Sequence, residues 1–179
     1  MACSDILAGI GRQCNNTIGG VQKIYIFNYL EDPFTISADN SEATAMNVLL
    51  TQSFEFEITG VGNILEQNVV SSRDSFTTVN TQTITALLGG MTPAKHATLK
   101  LLVNSRAMAV IKDRNAKYHA VGIGQGLNEG IDFNNVATTG GAQSDFNGYT
   151  LTGTSIVKDL APILDTATVT AFLATVQAN

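Results

Sequence analysis

Two glutamates in the first third of the sequence have a spacing suited to acid–base chemistry. Glu55 and Glu57 alternate with Phe54, Phe56 and Ile58, so the stretch reads as a half-buried strand with one acidic and one apolar face. Side chains two positions apart on a strand lie about 6 to 7 Å apart, because each residue rises about 3.3 Å. Paired glycosidase carboxylates have a similar separation. Neighbouring exposed acids are common on strands, however, and the sequence contains no Trp for a sugar platform, so catalysis by this pair is not expected.

A glycine-rich segment suggests a second chemistry, phosphate binding. Gly122, Gly124 and Gly126 alternate with other residues, and Gly130 follows shortly after. No helix start and no Lys-Ser or Lys-Thr pair closes the segment, so neither a helix dipole nor a cation is available to hold an anion. A conformational role for the glycines is therefore predicted.

The remaining reactive groups lack the partners that chemistry needs. The stretch Asp145–Gly148 resembles part of a calcium loop, but the terminal bidentate Glu is missing. Ser144 is not part of a Gly-x-Ser-x-Gly elbow. His96 and His119 are each isolated, with no second His at ligand spacing. These patterns predict a protein that is not an enzyme and holds neither a metal nor a cofactor.

Bulk composition narrows the function classes further. The 179 residues are expected to form one domain, 1–179, with a net charge of −5. Only 14% of residues are charged, against about 25% in typical soluble domains. The negative charge argues against nucleic-acid binding, and no apolar run approaches the roughly 20 residues of a membrane span. Cys3 and Cys14 are interpreted as free thiols, which indicates synthesis in a reducing cytoplasm.

Strand patterns dominate the chain and predict a mainly β fold, a β-sandwich or partial barrel. The predicted strands are Val21–Leu30, a short one within Thr35–Glu42, Asn47–Thr59, a pair at Val110–Ile111 and Tyr118–Val121, and Tyr149–Ile156. The segment between Gly122 and Gly148 is predicted to be a long loop ending in an Asp-Phe-Asn-Gly turn. Between 64 and 88 the pattern fits either a plain meander or a long hairpin, Ile64–Val70 with Phe76–Leu88, whose tip could reach a neighbouring molecule.

Three helices are predicted around the strands. Thr92-Pro93 is a typical helix start, and Leu99, Leu102, Val103 and Arg106 continue at helical spacing, which indicates a central flanking helix over about 92–106. Short terminal helices are expected after Ser4 or Asp5 and after Asp165 or Thr166.

Several segments together give the sequence a resemblance to virion structural proteins of tailed bacteriophages, of the crAss-like and related type. They are Ala2–Ile10, Gly19–Ile26, Val110–Tyr118 leading into Val121-Gly122, and Thr139–Ala142 with Asp145–Thr150. The resemblance implies a tail-tube-like β-sandwich assembled into rings around the DNA channel. It does not decide between a tail-tube subunit and a neck ring that joins head to tail.

From this resemblance we expect a homo-oligomeric ring that contacts neighbouring neck or tail proteins in the virion and is made in the host bacterial cytoplasm. DNA would pass through an acidic lumen without specific binding, with no membrane and no small-molecule substrate involved. The residues predicted for assembly or for the lumen are Glu55, Glu57, Arg73, Asp74, Gly122, Gly124, Gly126, Gly140 and Gly141. The alternative is a β-sandwich module that binds carbohydrate or a host surface through Tyr25, Tyr29, Tyr118 and Tyr149.

Overall fold

Strands make up most of the computed structural model, which describes residues 17–124 and 130–177. The strands within these ranges are β1 Val21–Asn28, β2 Phe34–Ile36, β3 Glu42–Met46, β4 Ser53–Phe56, β5 Ile64–Ser72, β6 Thr77–Gly89, β7 Ala107–Asp113, β8 Tyr118–Val121, β9 Asp132–Thr138, β10 Gly148–Val157, β11 Ile163–Leu164 and β12 Val176–Gln177. The helices are α1 Pro93–Val103 and α2 Thr166–Leu173. The mainly β prediction is confirmed.

The strands form two sheets. Sheet A has eight strands in the order β12-β4-β1-β7-β8-β11-β3-β2, and sheet B has four in the order β5-β6-β10-β9. Sheet B is antiparallel throughout, whereas β11 and β12 pair in parallel with β3 and β4. Two sheets with few helices are consistent with the predicted β-sandwich or partial barrel.

The first core lies between the two sheets. Ile24 and Ile26 of β1 contribute from sheet A, and Ile84 and Leu151 contribute from sheet B. Helix α1 adds Leu99 and Leu102, which are both buried. Alternation along the strands sends every second side chain into this layer, so the apolar face of each sheet is removed from water by the other.

The second core lies on the opposite face of sheet A. Tyr25 and Phe27 point to this side from β1, and Val110 does so from β7. Helix α2 covers them with Phe172, whose ring lies 5.6 Å from that of Tyr25 in an edge-on arrangement. The middle of β1 is therefore buried on both faces, which explains why its sequence is a continuous apolar run.

Both described helices begin as the sequence predicts. The Thr92 hydroxyl accepts a hydrogen bond from the Lys95 N–H at 3.2 Å, and the Asp165 carboxylate accepts one from the Thr168 N–H at 2.6 Å. Each cap satisfies an N–H group that the helix itself cannot. Neither helix is both long and apolar enough to span a bilayer. The predicted N-terminal helix, with Cys3 and Cys14, lies outside the described residues.

The long hairpin is confirmed over the meander, because β5 and β6 pair in register from Ile64–Thr85 to Ser72–Thr77.

The predicted strand Asn47–Thr59 is wrong in length, since β4 covers only Ser53–Phe56. The Asn47 side chain accepts a hydrogen bond from the Leu49 N–H at 2.9 Å. Such a local bond favours a turn over a strand ladder.

Strand β9 contradicts the prediction of one long loop between Gly122 and Gly148. It pairs with β10 from Asp132–Thr154 to Thr138–Gly148. Its sequence is mostly polar, and within β9 only Phe133 is buried. The apolar alternation that identifies a half-buried strand is therefore too weak here to be detected.

Gly148 offers a direct test of the packing between β6 and β10. A Cβ at this position would overlap the Leu88 carbonyl oxygen and lie 2.8 Å from the Phe146 ring. We expect Gly148→Ala to lower the free energy of unfolding by about 3 kcal/mol, at the upper end of typical overpacking costs, because backbone cannot move aside. Urea denaturation measures this loss. Gly19→Ala, where nothing lies within 4 Å of a new Cβ, should change stability by less than about 0.5 kcal/mol, and equal effects of the two substitutions would contradict the packing.

Candidate functional site

The face of sheet B that points away from the core forms a surface rich in hydroxyl groups, here called the threonine face. Neighbouring strands place its residues in rows, and two such rows are Ile64–Thr85–Thr152–Asn134 and Glu66–Thr83–Thr154–Asp132. The threonines within Thr81–Thr85 of β6 and those of β10 are half-buried by their neighbours, whereas the alternate residues Ile84 and Leu151 face the core. The threonine face is therefore a consequence of strand alternation.

Charge is distributed unusually on this sheet. None of the four strands of sheet B contains a lysine or arginine, and their acidic residues are Glu66 and Asp132. These two lie in the same row, one on each edge strand, with Thr83 and Thr154 between them. The threonine face thus offers hydroxyls, negative charge and some exposed apolar side chains, and its strands carry no cation that would attract a phosphate backbone.

The β5–β6 hairpin extends past the core at its distal end. From Asn68 to Val79 every residue except Ser72 is exposed, although the residues alternate between two faces. Both faces are therefore free of packing here. Arg73 and Asp74 lie in the turn, as predicted, and their side chains form no ion pair or hydrogen bond with any residue in 17–124 or 130–177.

The most exposed large apolar residue of the described chain adjoins that turn. Phe76 is 94% exposed and has a positive φ of 53°, a conformation that glycine and asparagine adopt far more readily than an aromatic residue. Phe76 carries no signal in the sequence that sets it apart, since a lone Phe in a polar turn resembles any strand residue.

Glu55 and Glu57 have different environments, because β4 ends at Phe56 and Glu57 lies beyond the strand. Glu55 is half-buried and its Oε1 lies 2.7 Å from the Lys23 Nζ. Glu57 is exposed and forms no ion pair or hydrogen bond with the part of the chain that the structure describes. Both acids border the same surface as Leu88, near one end of β6, whereas the hairpin tip lies at the other end of that strand.

Gly122 and Gly124, two of the predicted glycines, lie in a tightly packed part of the chain close to Gly130. Gly122 and Gly124 are buried, and the Gly130 N–H donates to the Gly122 carbonyl at 3.3 Å. Gly122 has φ 79°, and a Cβ on it would lie 2.8 Å from the Ile131 side chain, so this position requires glycine. Gly126 lies outside the described residues. The conformational need is clear, whereas the assembly role of these glycines stays a prediction.

Gly140 and Gly141 lie in an exposed turn that Asp145 closes. The Asp145 carboxylate accepts hydrogen bonds from the Ala142 N–H at 2.6 Å and the Gly141 N–H at 2.8 Å. These two bonds lower the pKa of Asp145 below its usual range, because they stabilise the charged form. The turn is on the surface, as an assembly contact requires, but nothing in it identifies a partner.

An apolar groove runs between α1 and strands β1 and β4. Its volume is about 740 Å³. Leu99 and Leu102 line it from the helix, Phe54 and Phe56 from β4, and Ile26 from β1. The rim is open to solvent, since Leu101 is 72% and Phe54 is 43% exposed. Glu57 and Lys95 lie along its length, and the Lys95 ammonium donates to the Gly89 and Gly90 carbonyls.

The prediction that the four tyrosines form a surface platform for carbohydrate is wrong. Tyr25, Tyr118 and Tyr149 are all buried, and only Tyr29 is partly exposed. Buried rings cannot stack on a sugar, so the groove, which is apolar, is the stronger binding feature. His119 lies 3.6 Å from Asp113, and no group of three or more His, Cys, Asp or Glu residues in the described ranges is placed to hold a metal.

Tyr25 links the second core to the Glu55 ion pair. Burial, the Glu55 charge and Tyr118 together raise the pKa of Tyr25 to about 12 from 10.0. Because the fold favours neutral Tyr25, its contribution to stability is complete below pH 10 and is lost as the pH rises toward about 12.

Replacing Glu55 tests this coupling. Glu55→Gln removes a negative charge beside Tyr25, so the pKa of Tyr25 should fall while burial still keeps it above 10.0. Spectrophotometric titration of the tyrosines measures the shift, and Tyr25→Phe identifies the signal. Glu57→Gln, which removes an exposed charge without a partner in the described chain, should leave the titration unchanged. An unchanged pKa in Glu55→Gln would contradict the coupling.

Comparisons with protein-family models, with curated proteins and with solved structures found no match. The resemblance to phage virion proteins therefore stays a prediction.

Proposed function

We propose that this chain is a non-enzymatic virion structural protein of a tailed bacteriophage, which assembles into a ring of the tail tube or head–tail connector that lines the DNA conduit. The observation that carries the proposal is the threonine face. A wall along which DNA slides must offer polar groups without cations, since each phosphate contact to a lysine or arginine adds affinity. The four strands of sheet B meet this requirement.

Weak surface charge and an unpaired edge support self-assembly. Strand β5 ends sheet B in the described chain, so one of its edges presents N–H and C=O groups to which a further strand can pair. Copies that use different patches on each side form heterologous contacts, and these close into a ring when the rotation between copies allows it. The low fraction of charged residues, 14%, suits a surface that is largely covered by neighbours.

Ring formation is the first test of this function. We expect the purified full-length protein to form closed rings as its concentration rises, detected by sedimentation velocity and electron microscopy. The threonine face should line the central channel in averaged images. A protein that stays strictly monomeric at high concentration would sink the proposal.

Placing a cation on the threonine face tests the role of the channel. Assembled wild-type protein should not retain duplex DNA even at low salt, whereas Thr83→Lys assemblies should retain it and release it as salt is raised. Val48→Lys is the matched control, because Val48 is 87% exposed and lies outside sheet B. A filter-retention assay measures this binding. Equal retention by the two lysine variants would argue against a lumen lined by this face.

A further inference from the structure

Phe76 is an exposed apolar knob at one end of the molecule. Its ring lies beside the turn of the β5–β6 hairpin, with Val69, Val70 and Val79 also exposed nearby. The local backbone, with φ 53°, would accept glycine or asparagine at lower conformational cost. The aromatic ring is exposed to solvent and its residue has an unfavourable backbone conformation. Together these two features point to a contact with another molecule.

The apolar groove between α1 and β4 has the chemistry to receive such a ring. Its volume of about 740 Å³ falls in the range of sites that hold several ring-sized groups. Leucine and phenylalanine side chains form the walls, and exposed Leu101 and Phe54 extend the apolar surface to the rim.

A chain cannot place Phe76 in its own groove. Phe76 immediately precedes β6, whereas Leu88, near the other end of that strand, lines the groove. The strand has 13 residues, and at about 3.3 Å per residue it holds the two features roughly 40 Å apart. The groove must therefore be occupied from another molecule if Phe76 is to enter it.

Charges beside the knob complement charges along the groove. Arg73 and Asp74 precede Phe76 in the turn, and the groove carries Glu57 and Lys95. Neither Arg73, Asp74 nor Glu57 has an ion-pair partner in the described ranges, and Lys95 contacts only backbone carbonyls there. An Arg73–Glu57 pair and an Asp74–Lys95 pair would orient the tip in the groove.

We propose that the hairpin tip, Ser71–Thr78, binds a second copy of this chain by inserting Phe76 into that copy's apolar groove. The inference rests on the self-assembly proposed above and names one contact that produces it. Knob and groove are different surfaces at opposite ends of β6, so the contact is head-to-tail. It repeats from copy to copy along that direction, and it forms an open row unless rotation closes it.

Phe76→Asn tests the contact without disturbing the fold, since asparagine tolerates positive φ. We expect this variant to melt like the wild type but to need about thirtyfold higher concentration for half-assembly in sedimentation velocity, as for removal of an interface hot spot. Leu101→Asn, in the groove wall, should weaken assembly in the same direction. Val48→Asn removes an equally exposed apolar side chain elsewhere and should assemble like the wild type.

Cross-linking between copies gives a second readout that keeps Phe76 intact. In a Cys3→Ser, Cys14→Ser background, protein carrying Ser75→Cys is mixed with protein carrying Thr98→Cys, a groove residue, and treated with a short bis-maleimide. We expect a cross-linked pair of the two chains. The pair should be absent when Phe76→Asn is added to the first chain, and absent when Val48→Cys replaces Thr98→Cys in the second.

The outcomes separate this contact from the proposed function. If the wild type assembles and Phe76→Asn assembles equally well, or if Ser75→Cys and Thr98→Cys do not cross-link in assembled protein, the contact is wrong while ring formation stands. If the wild type never assembles, both proposals fail. Weaker assembly of Phe76→Asn and of Leu101→Asn, with unchanged Val48→Asn, supports the contact.

Discussion

Burial of both faces of the β1–β7 pair is the constraint on which the rest of the structure depends. Ile24 and Ile26 need cover on one side, and Tyr25 and Phe27 need it on the other. Each apolar face left in water would cost about 25 cal/mol per Å². Sheet B with α1 covers the first face, and α2 covers the second through Phe172. Two covering layers follow from one strand whose middle, Ile24–Phe27, is apolar throughout.

The arrangement of these layers also creates the exposed surfaces. The apolar face of sheet B packs into the first core, so the threonine face points outward. Helix α1 packs against β9 and leaves β4 partly uncovered, and the apolar groove lies between α1 and strands β1 and β4. The β5–β6 hairpin is longer than the core that it covers, so its tip extends into solvent with both faces free. The three surfaces on which the proposals rest are thus consequences of the packing that forms the two cores.

Part of the fold can be predicted from local sequence patterns. Helix starts at Thr92 and Asp165 were predictable, because the capping hydroxyl or carboxylate acts within three residues. The β5–β6 hairpin is one of two alternatives that the sequence pattern allows, the other being a plain meander. The sequence does not predict β9, because this mostly polar strand has almost no apolar alternation. Of the candidate site residues, Arg73 and Asp74 lie at an exposed turn as expected, whereas Phe76 and the groove gave no sequence signal. A groove forms from residues distant in the chain, and no local period reports it.

By itself the sequence determined the mainly β class, the continuous apolar run of β1, the helix caps and the shortage of positive charge, since these depend on near neighbours or on composition. Only the tertiary structure decided which side of sheet B faces solvent, that Tyr25, Tyr118 and Tyr149 are buried, and that Phe76 and the groove lie at opposite ends of β6. The physical reason is that side-chain alternation fixes two faces for each strand, but which face is buried depends on the elements that pack against it from elsewhere in the chain.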